Sequence, residues 1–160
     1  MEQTQYLEVI FTRNHLPASY LIRVFDFGSY SHAAVIDGKT IIESAFSRGG
    51  VKEDTLENLK KRSSAWYICK YPVKDRDKAI AAIRSQIGKP YDFTALFGIM
   101  VVNRNFQEPD SWFCSELIVY GLEAGGTTYF DPAIHSLVTP KMLFSINHVY
   151  VNDSKNRLVA

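Results

Sequence analysis

His32 and Glu43 are placed by the sequence to act as a pair. Two β-forming runs flank the dipeptide Asp37-Gly38, and Asp-Gly between apolar runs is a strong signal for a β-hairpin. A two-residue turn at this dipeptide predicts that His32 faces Glu43 across the hairpin, with the two side chains on one face about 5 Å apart. A carboxylate in that position orients and charges the imidazole, and a histidine so prepared can activate a thiol.

Cys114 is the candidate nucleophile, because it stands where a helix is predicted to begin. That helix runs from Ser111 or Phe113 to Ala124 and is closed by a Gly-Gly pair. A thiol at a helix start meets the positive end of the helix dipole and free backbone N–H groups, which lower the pKa of such a thiol and can bind a developing oxyanion. The alternative interpretation is a small buried hydrophobic residue, a common role of free cysteine.

The other cysteine and the other histidines lack such support. Cys69 lies in a predicted strand among residues that suit a packed sheet, which favours a structural role. His15, His135 and His148 have no carboxylate placed opposite them by a predictable turn. No cluster of His, Cys, Asp or Glu has zinc-like spacing, and no Gly-rich phosphate loop follows a strand. The sequence therefore predicts neither a metal nor a nucleotide cofactor.

The sequence predicts a mixture of strands and helices. Strands are predicted at residues 6–13, in the hairpin, at 65–71, where Pro72 ends the strand, and at 148–151; helices are predicted at 53–62, 75–87, 91–102 and 141–145. The apolar stretch 20–26 fits either a strand or the end of a helix. This mixture predicts an α+β fold in which a small antiparallel sheet packs against helices, with the nucleophile at a helix N-terminus.

Length and charge restrict the class of protein. A chain of 160 residues fits a single domain over residues 1–160. A net charge of +1, from 18 basic and 17 acidic residues, argues against a nucleic-acid-binding face. The one basic cluster, Lys60-Lys61-Arg62, ends a predicted helix and is interpreted as complementing the helix dipole rather than as a binding patch.

The sequence also carries expectations about location. The first residues lack the features of a secretory signal, and the longest apolar stretch, Phe93 to Val102, is about half as long as a membrane-spanning helix. A cytoplasmic protein without an integral membrane segment is expected, with its two cysteines as free thiols. The oligomeric state stays open.

Five short segments follow one another in a distinctive order. They are Ser31-His-Ala-Ala-Val-Ile, Glu43-Ser-Ala, Gly88-Lys-Pro-Tyr-Asp92, Trp112-Phe-Cys-Ser-Glu-Leu117 and Thr139-Pro-Lys-Met-Leu143. In ordinary papain-like enzymes the cysteine helix precedes the histidine strand, whereas here the histidine comes first. With this order, the chain from about Leu21 to Ser145 resembles the circularly permuted NlpC-type papain-like proteins, in particular their YiiX-like branch, a group related to the lecithin retinol acyltransferase-like proteins.

The resemblance implies a permuted papain-like fold and assigns roles to four residues. Cys114 would be the nucleophile, His32 the general base and Glu43 the group that fixes the imidazole. Tyr91 falls where the family has a tyrosine near the active site, so it is expected on the substrate or oxyanion side, although a buried structural tyrosine would look the same. The implied activity is that of a cysteine peptidase or amidase, which cleaves a peptide or isopeptide-like amide bond through a thioester.

Two alternatives remain at the level of sequence. The same triad would serve an acyltransferase or thioesterase acting on fatty acyl or lipid substrates, with the apolar stretch 93–102 lining its pocket. The second alternative is a binding module that retains the fold but has no catalytic activity. The expected substrate is accordingly a peptide, a cell-wall-derived molecule or an acyl-lipid.

Overall fold

One six-stranded antiparallel sheet organises the fold. The computed structural model describes residues 4–94, 110–146 and 148–155. In chain order the strands are β1 (Gln5–Arg13), β2 (His32–Asp37), β3 (Thr40–Ala45), β4 (Gly50–Thr55), β5 (Ala65–Val73) and β6 (Val149–Asp153). They lie in the order β4-β3-β2-β1-β5-β6, and each neighbouring pair is antiparallel. The predicted α+β class with an antiparallel sheet is confirmed.

Helices cover both faces of this sheet. They are α1 (Pro17–Asp26), α2 (Leu56–Lys61), α3 (Arg76–Arg84), α4 (Cys114–Ala124) and α5 (Pro140–Ser145), with short 3-10 segments at Phe46–Arg48 and Pro132–Leu137. Helices α3 and α4 share the larger core with the β1 side chains Leu7, Val9 and Phe11. On the opposite face, Ile10 packs with Leu59 of α2. Within the described residues, no helix is long and apolar enough to cross a membrane.

The hairpin turn lies one residue further along the chain than predicted. Asp37 pairs with Thr40, so the two-residue loop consists of Gly38 and Lys39. Gly38 has a φ of +64°, and a type II′ turn requires glycine at its first loop position because that position has a positive φ. The Asp-Gly signal located the hairpin correctly but assigned the aspartate to the turn instead of the strand.

This shift changes how His32 meets Glu43 but not whether they meet. Continued toward the strand ends, the observed register places Ala45 opposite His32 and makes Glu43 its diagonal neighbour. Side chains alternate between faces with a period of two, and the register differs from the predicted one by two residues. The two side chains therefore stay on the same face of the sheet.

Three other elements differ from the prediction or complete it. The predicted helix 53–62 is shorter, because residues 50–55 pair with β3 as strand β4 before the Thr55 side chain caps α2. Strand β5 continues through Pro72 instead of ending there. Strand β6 pairs only with residues 67–70 of β5, so the β6 side of β5 is unpaired at Pro72, and a proline is tolerated at such an edge. The stretch 20–26 is helical in α1. The predicted helix 91–102 lies largely outside the described residues.

The segment from Gly88 to Asp92 is fixed between β4 and the start of α4. The Gly88 N–H donates to the Val51 carbonyl, and the Val51 N–H donates to the Lys89 carbonyl, both at 2.9 Å. On the other side, the Asp92 N–H donates to the carbonyl of Trp112 at 3.2 Å. These bonds hold Tyr91 close to the residue that begins α4.

Gly50 permits this close approach, so its replacement by alanine is expected to destabilise the fold. The φ of Gly50 is +149°, and an added Cβ would collide with the backbone carbonyl oxygen of Lys89. We expect the Gly50→Ala variant to lose roughly 2–4 kcal/mol of unfolding free energy, measured by urea denaturation. Gly49→Ala is the matched control: Gly49 also has a positive φ, but an added Cβ there meets nothing within 4 Å. Equal losses in the two variants would contradict the role of the close contact.

Candidate active site

His32 and Glu43 form a short, buried hydrogen bond. The distance from His32 Nε2 to Glu43 Oε2 is 2.6 Å, the Glu43 side chain is fully buried, and that of His32 is 17% exposed. Because Nε2 faces the carboxylate, Nδ1 is the ring nitrogen left to face another group. The sequence-predicted pair is thus present, in the diagonal arrangement of the two strands.

Glu43 also contacts two arginines. Its Oε1 accepts a hydrogen bond from Nη2 of Arg62, and Nε of Arg48 lies 3.9 Å from the same oxygen. Burial alone would raise the pKa of Glu43, but the hydrogen bond to His32 and the positive charges of His32 and Arg62 hold it below its ordinary value. Glu43 is therefore ionised at neutral pH. Sequence reasoning assigned Arg62 only to the helix dipole, since nothing local links it to Glu43.

Cys114 is the first residue of α4, as predicted, and it is 2% exposed. It packs in a small cluster with Ile22 of α1, Tyr91 and Phe113. Glu116, in the first turn, accepts a hydrogen bond from the Phe113 N–H at 3.3 Å. This side chain is thus directed at the backbone N–H of the residue that precedes α4.

The structure brings Cys114 to His32. Burial alone would lower the pKa of His32, but hydrogen bonds to Cys114 and Glu43, together with the negative charges of both, raise it to about 10. The imidazole therefore carries a proton at neutral pH. A protonated histidine beside a cysteine at a helix N-terminus is an arrangement that can prepare a nucleophile.

Tyr91 adjoins this group. It is 3% exposed and makes edge-to-face ring contacts with Phe46, Phe93 and Phe113. Burial, followed by the negative charges of Cys114 and Asp92, raises the pKa of Tyr91 well above its ordinary value. Tyr91 is therefore a neutral phenol close to the thiol, and its role on the substrate or oxyanion side stays a prediction.

A small open pocket borders His32 and Tyr91, and both polar and apolar side chains line it. Its lining comes from the start of α1, the strand ends, the 3-10 segment and the end of α2: Asn14, Leu16, Ala18, Ser19, Ile22, Ser31, Ala45, Phe46, Ser47 and Arg62. Cys114 is not part of this lining; it lies in the buried cluster that also contains the lining residues Ile22 and Tyr91.

The remaining candidates lie elsewhere. Cys69 belongs to the larger core, where burial raises its pKa to about 12, so a structural role suits it. His135 Nδ1 lies 3.0 Å from a carboxylate oxygen of Glu123, and His148 contacts Tyr67. Neither contact was apparent from the sequence, because the partners are distant in the chain or follow an irregular loop.

Comparisons with known proteins bear on the fold. No model of a protein family matches the sequence, and no curated protein matches it. A solved structure that does match is that of the metalloprotein YiiX from Escherichia coli O157:H7, with a TM-score of 0.52 and 18% sequence identity. The match covers 78% of this chain and 67% of that one. At this identity the similarity concerns the fold, which is YiiX-like.

The word metalloprotein describes YiiX, and the donor groups in the part of this chain that the structure describes do not form a metal site. In the ranges 4–94, 110–146 and 148–155, no group of three or more His, Cys, Asp or Glu side chains is arranged to hold an ion. Two acidic groups of this region are already engaged: Glu43 binds two cations, and Asp92 accepts a hydrogen bond from Thr94.

Proposed function

We propose that this protein is a cysteine hydrolase of the permuted papain-like, NlpC-type class that cleaves an amide bond through a thioester intermediate. Cys114 is the nucleophile, His32 transfers protons, and Glu43 holds the imidazole. The observation that carries the proposal is the buried chain from Glu43 through His32 to Cys114, in which both partners raise the pKa of His32 to about 10. An enzymatic role is also consistent with the YiiX-like fold.

The protonation of His32 defines the first half-reaction. The thiolate of Cys114 attacks the carbonyl carbon, and the backbone N–H groups at the start of α4 stabilise the developing oxyanion. As the tetrahedral intermediate collapses, the imidazolium of His32 gives its proton to the leaving nitrogen, and the C–N bond breaks. An amine leaves, and the acyl group remains on Cys114 as a thioester.

Water completes the cycle. The now neutral His32 accepts a proton from a water molecule, the resulting hydroxide attacks the thioester, and the C–S bond breaks to release a carboxylic acid. The imidazolium and the thiolate are thereby restored. Tyr91 contributes on the oxyanion side, because its raised pKa keeps the phenol protonated and able to donate a hydrogen bond.

A second candidate uses the same groups on a different substrate. Leu16, Ile22 and Phe46 give the pocket an apolar side, and Phe93, half exposed, packs against Phe46. These side chains suit a fatty acyl ester or thioester, which would make the protein an acyltransferase or thioesterase. A peptide or cell-wall-derived amide would instead use the polar side of the pocket.

An acyl-enzyme trapping experiment tests the proposal. Intact-mass spectrometry follows wild type, Cys114→Ala and Cys69→Ala after brief incubation with peptide, muropeptide and acyl-lipid substrates and an acid quench. We expect an acyl adduct on wild type and Cys69→Ala and none on Cys114→Ala. An adduct from amides supports the hydrolase, and one from acyl-lipids alone supports the second candidate. No adduct with any substrate, together with an ordinary alkylation profile of Cys114 that rises near pH 8.5, would leave the non-catalytic binding module as the better assignment.

A further inference from the structure

The carboxylate of Glu43 is shared between two cations. His32 Nε2 binds one oxygen at 2.6 Å, and the guanidinium of Arg62 binds the other. The carboxylate has no exposed surface, and a buried charge of this kind is stable only when it is paired and hydrogen-bonded. With both oxygens engaged, the carboxylate cannot rotate without breaking one of the two bonds.

Arg62 is itself held in place at both ends. The backbone N–H of Arg62 donates to the carbonyl of Asn58 and closes the end of α2. Helix α2 is itself anchored by Leu59, which is buried with Ile10 on that face of the sheet. The guanidinium also lies 3.7 Å from Asp54, whose carboxylate binds Arg48 at 2.5 Å. The arginine therefore approaches Glu43 from a fixed backbone position and with a second anion beside it.

We propose that Arg62 is a positioning residue of the active site, which acts through Glu43 by holding the second carboxylate oxygen so that the first stays on His32. This role rests on the proposed function. It means that α2, which carries no catalytic group, contributes to the contacts that keep the imidazole charged. It gives a function to one member of the Lys60-Lys61-Arg62 cluster.

Arg62 could act on His32 by positioning Glu43 or directly through its own positive charge. The two effects predict opposite changes in the pKa of His32 when Arg62 is removed. Arg62 is a cation near an imidazolium, so a field effect alone would raise the pKa of His32 when the arginine is removed. If Arg62 acts by positioning, its removal frees Glu43 from Nε2 and lowers the pKa of His32. The other charged or titratable groups around this pair belong to the 3-10 segment, β4, the segment before α4, and α4 itself: Arg48, Lys52, Asp54, Tyr91 and Cys114.

The test compares Arg62→Gln with Lys61→Gln. Each variant removes one positive charge near the C-terminal end of α2, but Lys61 is exposed and pairs with Glu57 rather than with Glu43. The readout is the titration midpoint of His32, followed by NMR in protein labelled with ¹³C at histidine Cε1 and assigned with His32→Ala. We expect Arg62→Gln to lower the midpoint by about one pH unit or more and Lys61→Gln to leave it unchanged. An unchanged or raised midpoint in Arg62→Gln would overturn the proposal.

Two further variants keep the test decisive. Arg62→Lys retains the charge but lacks the planar fork of the guanidinium, so we expect it to fold and to lower the midpoint by less than glutamine does. If Arg62→Gln does not fold, an unchanged midpoint in Arg62→Lys overturns the proposal. In a Glu43→Gln background, Arg62→Gln should produce no further decrease, and a second decrease of equal size would show that Arg62 does not act through Glu43.

Failure of this proposal is distinguishable from failure of the proposed function. An ordinary His32 midpoint in wild type, together with no acyl adduct on Cys114, would count against the hydrolase itself. A high midpoint in wild type that Arg62→Gln leaves in place would remove only the role of Arg62.

Discussion

Replacing His32 with alanine should reduce turnover about 100-fold to 10,000-fold, the range expected when a positioned proton-transfer group is lost. The variant also removes the cation beside Cys114. The pKa of His32 is raised to about 10, so in wild type the imidazolium is present across the neutral range. Without it, alkylation of Cys114 by iodoacetamide should follow an ordinary thiol profile that rises near pH 8.5, and labelling at about pH 6 should fall about tenfold.

His135→Ala is the matched control, because His135 is also a partly buried histidine paired with a glutamate. It lies away from the thiol and should change neither turnover nor the alkylation profile. Equal alkylation profiles for wild type and His32→Ala would contradict the thiolate–imidazolium pair, whatever the effect on folding.

Replacing His32 with alanine should also change the unfolding free energy, by an amount that depends on pH. An unfolded histidine has a pKa near 6.5, and the folded pKa of His32 is higher, at about 10. Protonation of His32 therefore stabilises the folded state below about pH 6.5, and this contribution is lost as the pH rises to about 10. The difference in unfolding free energy between wild type and His32→Ala, measured in urea, should decrease across this window. A difference independent of pH would contradict the raised pKa.

Replacing Glu43 with glutamine should leave the protein folded and reduce turnover strongly, by about tenfold to a thousandfold. The amide is nearly isosteric but neutral, so it cannot stabilise the imidazolium, and the His32 midpoint should fall. The substitution also leaves the buried end of Arg62 without its anion. We expect a loss of about 2–4 kcal/mol in unfolding free energy at neutral pH, toward the lower end of what breaking a buried ion pair costs.

The pH dependence of this loss follows from the lowered pKa of Glu43. A carboxylate whose pKa is lower in the folded state contributes stability above its ordinary value, near 4.5, and this contribution is lost as the pH falls toward its folded value. The stability difference between wild type and Glu43→Gln should therefore shrink in acid. Glu53→Gln is the control, since Glu53 is exposed in the neighbouring strand and pairs with Arg84. Unchanged turnover in Glu43→Gln would show that Glu43 does not orient His32.

Local patterns predicted many of the elements. The apolar residues of β1 and β5, the helical spacing of Ile80 and Ile83 in α3, and the Gly-Gly stop after α4 each express short-range preferences that hold in the folded chain. Strand β4 was missed because its residues 50–55 read locally as a loop and a helix start. Pairing with β3 overrides that local preference, since strand formation depends on neighbours more than on intrinsic propensity.

The sequence by itself determined which face His32 and Glu43 share, because strand side chains alternate with a period of two and a shift of two residues preserves that relation. It also determined that Cys114 begins a helix, because the apolar run and its glycine stop are local signals. Only the tertiary structure decided that this thiol meets His32, that it is buried in one cluster with Ile22, and that Arg62 holds the second oxygen of Glu43. These contacts join segments far apart in the chain, and they arise from how the helices pack on the sheet, which no local period of the sequence encodes.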